Sequence, residues 1–214
     1  MGAYSLPREL SLDADNRIPQ TIKATGLKTT NTVRHSNVTK DKPISKTNTK
    51  WVDRQDTNGD IYGLYDIPDQ SAAQKYTLKF CNTSSNYQGR MYIDLWQGSD
   101  WVRFNYEPEN GWYNVKTRAG ELDNNKKGQA ATHYYYDGLL GNGNGYSAQS
   151  LVQDQQEITL QVYTDTTSVE FVFPNGQIYT VARFSQSTKQ DFKVFTEDPT
   201  GNNTVDIEVS NLGL

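Results

Sequence analysis

Apolar and polar residues alternate along most of this chain, which is the signature of strands rather than helices. Tyr76, Leu78 and Phe80 are separated by polar neighbours. Met91, Ile93 and Leu95 alternate with Tyr92, Asp94 and Trp96, and Val102, Phe104 and Tyr106 alternate with Trp101, Arg103 and Asn105. Successive side chains on a strand point to opposite faces, so each set marks one buried face and one outer face. Gln97-Gly98-Ser99-Asp100 lies between the last two runs and predicts a hairpin turn. Ile158, Leu160 and Val162, then Val169, Phe171 and Phe173 with Glu170 among them, continue the pattern. Asn175-Gly176 tolerates positive φ, so Phe171 to Ala182 predicts a tight type I′ hairpin. Its return strand carries Ile178, Thr180, Ala182 and Phe184 on one face and Tyr179, Val181 and Arg183 on the other. Val205, Ile207 and Val209 form a last strand.

Many short strands separated by Gly, Asn and Asp turns predict an all-β chain: an antiparallel two-sheet β-sandwich of the jelly-roll or concanavalin-like kind. No helical periodicity competes with it. One domain over 1–214 is the expectation. Residues 13–60 are rich in Thr, Asn, Lys and Asp; there Ile18, Ile22, Leu27, Val33 and Val38 are expected to supply short edge strands. Residues 126–150 contain Gly141-Asn-Gly-Asn-Gly145, which holds no regular element because Gly loses backbone entropy and Asn prefers turns; a long loop is expected.

Composition narrows the function classes. The hydrophobic fraction of 35% is low while Tyr is abundant at 14, as suits two thin layers with wide polar faces. A net charge of −4 offers no cationic footprint for nucleic acid. No apolar run is long enough to span a membrane. Cys81 is the single cysteine, so no internal disulfide forms; it reads as a structural or surface thiol.

Two segments carry a family resemblance. Leu6-Pro7-Arg8-Glu9-Leu10 is one; Asp165, Ser168, Val169, Glu170 and Gly176 within the Ile158–Phe184 stretch form the other. Together they resemble the C-terminal β-sandwich of glycoside hydrolase family 32, the invertases, levanases and inulinases. Thr117-Arg118-Ala119-Gly120 loosely fits that family's middle element. The chain departs from the pattern at Val172, where the family carries an aromatic, and at Pro174, where it carries Asn. The resemblance implies that residues 1–12 lead in from a catalytic β-propeller, that this propeller is the partner, and that the enzyme acts on fructan outside the cell or at its surface, with any signal segment outside this chain.

Chemistry by the chain itself is not expected. Retaining glycosidases hold two carboxylates about 5 Å apart. The motifs that supply them in the family, a Trp-Met-Asn-Asp-Pro-Asn-Gly stretch and a Glu-Cys pair, and the Arg-Asp-Pro that stabilises the sugar there, do not occur here: Cys81 follows Phe80, and Asp198-Pro199 follows Glu197. Glu107 and Glu109 flank Pro108 and read as a solvated turn. Asp56, Asn58 and Asp60 match the first half of a calcium loop, but Ile61 and Ile67 occupy the sixth and twelfth positions, so a polar turn is favoured and no cofactor is expected. His35 and His133 are isolated.

Sugar binding is the open functional possibility. Aromatic rings stack on the apolar faces of sugars while amides, guanidinium groups and carboxylates bond the hydroxyls. Trp96, Trp101, Arg103, Asn105, Trp112, Tyr134 and Tyr135 are the candidates, with fructan as ligand. The competing reading is that these rings cover a sheet or dock onto the propeller. An unrelated adhesin or lectin is a further alternative.

Overall fold

The computed structural model describes residues 6–12, 14, 20–22, 27–45, 61–83, 89–98, 100–107, 112–118, 146–148, 157–174, 176, 178–183, 187–198 and 201–213. Among them the regular elements are all strands. A small antiparallel ribbon pairs β1 (Arg8–Leu10) with β2 (Gln20–Ile22). The rest builds two sheets from β3 (Lys28–Val38), β4 (Ile44–Ser45), β5 (Tyr62–Ser71), β6 (Gln74–Asn82), β7 (Met91–Gln97), β8 (Asp100–Glu107), β9 (Trp112–Arg118), β10 (Tyr146–Ala148), β11 (Glu157–Thr164), β12 (Ser168–Val172), β13 (Ile178–Ala182), β14 (Lys189–Thr196) and β15 (Asn203–Gly213).

One sheet has seven strands in the order β10-β9-β8-β7-β14-β5-β4; the other has six in the order β13-β12-β11-β6-β15-β3. Their inner faces make the core. Ile93, Leu95, Val102, Phe104, Phe192 and Val194 meet Tyr76, Leu78, Leu160, Val162, Phe171 and Ile207, all buried. Ring contacts stitch the layers: Tyr76 stacks on Phe192 at 3.7 Å, and Phe104 lies 5.4 Å from Phe171. Such pairs add about 1 kcal/mol beyond the area they bury. The expected sandwich is therefore present, with the inner faces that the alternation marked.

The chain changes sheet between β5 and β6 through Ala72 and Ala73 alone. That corner is pinned by Ala72 N–H on the Thr188 carbonyl at 2.9 Å and by the Thr164 hydroxyl on the Ala72 carbonyl at 2.7 Å. β7 and β8 turn through Gly98 (φ 62) with Gln97 opposite Asp100, as the sequence predicts.

Three expectations need correction. The β12–β13 hairpin is not a two-residue type I′ turn. Pairing stops at Val172 opposite Ile178, and the Gly176 N–H bonds the Phe173 carbonyl at 3.0 Å. Pro174 has no N–H to extend the ladder, so the connection runs over 173–177 and closes as a β-turn at Gly176 (φ 78). The polar region 13–60 supplies a long edge strand, β3, rather than short ones only. Its Thr and Val residues favour extended backbone although nearly all its positions are exposed, and Asn31 and Asn37 take positive φ (53 and 54). β3 also shows two register shifts against β15. Such irregularity blunts an edge against unwanted pairing. Finally, the sheets are not wholly antiparallel, since β4 runs parallel to β5. The 126–150 loop expectation and the Glu107–Glu109 turn fall wholly or partly outside the described residues.

Candidate functional site

The strands carry two clusters of polar side chains on their outer faces. The first lies on the seven-stranded sheet. Register places Trp101 opposite Trp96, Arg103 opposite Asp94 and Asn105 opposite Tyr92. The adjoining strand sets Asp191, Lys193 and Phe195 beside Trp96, Asp94 and Tyr92, and Lys193 in turn faces Asp66. All point away from the core, so the predicted outward Trp-Arg-Asn set exists and includes Trp96.

The geometry is that of a locked pair. Arg103 donates Nε to Asp94 Oδ1 at 2.8 Å and Nη2 to Oδ2 at 2.9 Å. Trp96 Nε1 reaches the same carboxylate at 3.3 Å. The guanidinium also sits 5.1 Å from the Trp101 ring centre, and the two indoles are 6.1 Å apart, tilted by 42°. Arg103 is 12% and Asp94 3% exposed, which is unusual for an outer sheet face. Asn105 contributes a buried amide oxygen without a hydrogen-bond partner among the described residues. Tyr92 and Phe195 are fully covered, and Tyr92 donates to Glu197 at 2.6 Å. Chemically this is a half-buried indole pair fixed by a bidentate ion pair: rigid and preorganised, with its strongest donor already committed to Asp94. Asp94 stands outside the candidate set that the sequence offers, because it reads there as one more polar residue on an alternating strand.

Of the other candidates, Trp112 is placed only as backbone, on β9 opposite Glu107. Tyr134, Tyr135, Asp56, Asn58 and Asp60 lie outside the described residues. No group of three or more potential metal ligands occurs among the described residues.

The second cluster centres on Glu170 of β12, which faces outward between the core residues Val169 and Phe171 and is nonetheless only 1% exposed. Its carboxylate accepts the Leu6 backbone N–H and pairs with Arg8 Nη2 at 3.3 Å. Arg8 also bonds the Thr180 hydroxyl and donates Nη1 to Gln20 at 2.8 Å. Burial pushes the Glu170 carboxyl above the usual carboxylate range, while the Leu6 amide and Arg8 pull it back. The two segments that carried the resemblance, 162 positions apart, thus meet at one ion pair. Asp165 explains the acidic start of the second segment. Its Oδ1 accepts the N–H groups of Thr167 at 2.5 Å and Ser168 at 2.7 Å, fixing the turn that delivers β12.

Beneath these groups, Arg183 and Gln190 form a buried polar link. Arg183 Nη1 donates to Gln190 Oε1 at 2.8 Å, and Gln190 Nε2 donates to Tyr76 and Thr164, each at 3.0 Å. Nothing in the local sequence marks Gln190, because Tyr76 and Thr164 stand on strands 114 and 26 positions away.

The same arrangement of strands recurs in known structures. A fructofuranosidase from Schwanniomyces occidentalis, solved with fructose, matches 98% of this chain and 40% of its own at a TM-score of 0.58 and 12% identity. An exo-inulinase from Aspergillus awamori matches 98% of this chain and 35% of its own at 0.53 and 12% identity. A family 32 β-fructofuranosidase from Bombyx mori matches 97% and 32% at 0.54 and 14% identity. This chain therefore spans well under half the length of each enzyme. No protein-family model matches the sequence, and no curated protein matches it. At these identities the likeness establishes the fold, which is the fold that the sequence resemblance implied.

Proposed function

We propose that this chain is the non-catalytic β-sandwich module of a fructan-hydrolysing glycoside hydrolase, packed against the enzyme's catalytic propeller and stabilising it. The observation that carries this reading is the coverage: nearly all of this chain is matched by three fructan- or sucrose-type hydrolases, each of which it matches over 40% or less of its own length. The Glu170 cluster supports it independently. It clips to the sandwich the very segment, Leu6 to Leu10, whose likeness is to the stretch leading out of a propeller. Leu10 and Leu12, 64% and 69% exposed, give that segment an apolar surface suited to burial against a neighbouring domain. An enzyme acting on polymeric fructan works outside the cell or at its surface, which is the location this reading implies.

A second reading, fructan binding by the module itself, is favoured by the indole pair over the Arg103–Asp94 clamp. Calorimetric titration of the purified chain with levan, inulin and short fructo-oligosaccharides separates the two. The stabilising role predicts no saturable heat. Saturable heat that is lost in Trp101→Ala, with the fold retained, assigns the module to fructan binding.

A further inference from the structure

Three asparagines stand in an Asn-x-Thr or Asn-x-Ser triplet with x other than Pro: Asn37-Val38-Thr39, Asn82-Thr83-Ser84 and Asn202-Asn203-Thr204. That triplet accepts N-linked sugar in chains that enter a glycosylating secretory route. In a sequence rich in Asn and Thr the triplet alone decides nothing, but the fold separates the three. A sugar carries many hydroxyls, so its asparagine must stand in solvent once the chain has folded. Asn82 lies on β6, paired with Asn203 of β15, and is 3% exposed. Asn202 is half-buried in the β14–β15 turn, where its carbonyl accepts the Thr83 N–H at 3.2 Å. Asp198 ties that turn on both sides of Asn202, accepting the N–H groups of Gly201 at 2.8 Å and Asn203 at 2.6 Å. Asn37 differs from both. It is exposed, and it stands on β3, a free edge of the six-stranded sheet. Val38 pairs with Val205 and His35 with Ile207, so Ser36 and Asn37 together face Asp206 in a bulge. There Asn37 takes φ 54, and its backbone N–H donates to Asp206 Oδ1 at 2.7 Å instead of to the ladder. The neighbouring outer face is hydrophilic, with the solvent-facing ion pairs Arg34–Glu208 and Lys79–Glu157.

We propose that Asn37 is the N-glycosylation acceptor of this chain, and that the sugar it carries keeps the β3 edge in solvent, clear of neighbouring protein. In the modifying step Asn37 Nδ2 bonds the anomeric carbon of an oligosaccharide carried on a lipid diphosphate. The bond from that carbon to the diphosphate oxygen breaks, the lipid diphosphate leaves with the bonding pair, and Nδ2 gives up one proton. Nothing is oxidised or reduced. An edge strand of 11 residues offers backbone groups to any chain that can reach them, and bulk beside it blocks that approach. The extracellular route rests on the proposed function, whereas the choice among the three asparagines rests on the fold alone. Under that function the sugar also excludes the β3 edge from the contact with the propeller.

Secretion of the whole chain from a eukaryotic host, with a leader supplied, and peptide mass spectrometry of the folded fraction test the site. Enzymatic release of the sugar in heavy-oxygen water marks each formerly occupied asparagine as a labelled aspartate. Occupancy is expected at Asn37 and at least about 10-fold less at Asn82 and Asn202, because a sugar on a covered asparagine opposes folding. Thr39→Ala is expected to abolish the modification and Thr39→Ser to keep it. An unmodified Asn37 in the folded fraction overturns the site. Occupancy at Asn82 or Asn202 equal to that at Asn37 overturns the argument from exposure. For the edge, sedimentation compares the glycosylated chain with the sugar-free parent made in a host without that pathway. The glycosylated chain is expected to stay monomeric at concentrations where the sugar-free parent associates, and equal sedimentation overturns the shielding role. Failure of fructan binding or hydrolysis assays bears on the proposed function and leaves these outcomes untouched.

Discussion

Removing the carboxylate of Asp94 is the sharpest perturbation of the outer cluster. Asp94 and Arg103 are 3% and 12% exposed and joined by two bonds of 2.8 and 2.9 Å. Breaking a buried pair by deleting one member costs about 3–5 kcal/mol, because a charge is left in a poorly solvated place. Arg103 keeps its position against the Trp101 ring, so the lower end applies and Asp94→Leu is expected to cost about 3 kcal/mol. Arg103→Met strands the carboxylate instead and is expected to cost about as much. Replacing both with apolar groups removes the desolvation penalty together with the attraction, so the double variant is expected within about 1 kcal/mol of the parent. Urea unfolding measures all three, and an unchanged slope confirms that stability rather than compactness has moved. In a chain of this size, 3 kcal/mol corresponds to a fall in Tm of roughly 6–12 °C. Additive single costs, with the double variant near 6 kcal/mol down, would refute the argument that charge burial, and not packing, sets the price.

Three further expectations follow from the described geometry. Gly89 has φ 109, and a Cβ there would lie 2.4 Å from the Glu197 carbonyl oxygen, so Gly89→Ala is expected to destabilise by about 3 kcal/mol or more in the same urea assay. The Tyr106 hydroxyl is buried with no partner among the described residues, and burial pushes its pKa up to about 12. Tyr106→Phe is therefore expected to be neutral or stabilising by up to about 1 kcal/mol, and ultraviolet titration should find one fewer late-ionising phenol in the variant than in the parent, where burial also raises Tyr76 and Tyr65. Glu170 holds its proton more tightly in the folded state than when unfolded, so its ionisation subtracts stability. That loss is absent below the ordinary carboxylate value of 4.5, develops as pH rises toward the raised folded value, and is constant above it. Wild type should therefore lose ground to Glu170→Gln as pH climbs from about 4 to 7. A gain instead would mean that Arg8 and the Leu6 amide outweigh burial.

Local periodicity carried the core. The Tyr76-Leu78-Phe80 and Met91-Ile93-Leu95 sets are legible because a strand with one buried face writes that face at every second residue. The outward set of Trp101, Arg103 and Asn105 is legible for the same reason. What the sequence did not disclose is register between strands that are distant in the chain. Asp94 meets Arg103 across one hairpin, but Lys193 and Asp66 join their row only through sheet order. Arg8 and Glu170 each stood in a recognisable motif, yet nothing in either motif says that the two touch. β3 was misjudged as short because its Thr, Asn and Lys residues reflect an exposed edge, where burial no longer enforces a hydrophobic pattern. The one parallel pairing among the described residues, β4 on β5, joins two residues to a strand and leaves no periodicity to detect.

Under the proposed function this chain is an accessory module that performs no fructan chemistry itself. Fructose release from sucrose, inulin and levan by the purified chain tests it most directly. The account predicts release indistinguishable from a protein-free blank at every pH between 4 and 7. Sustained release that scales with the concentration of this chain would contradict it.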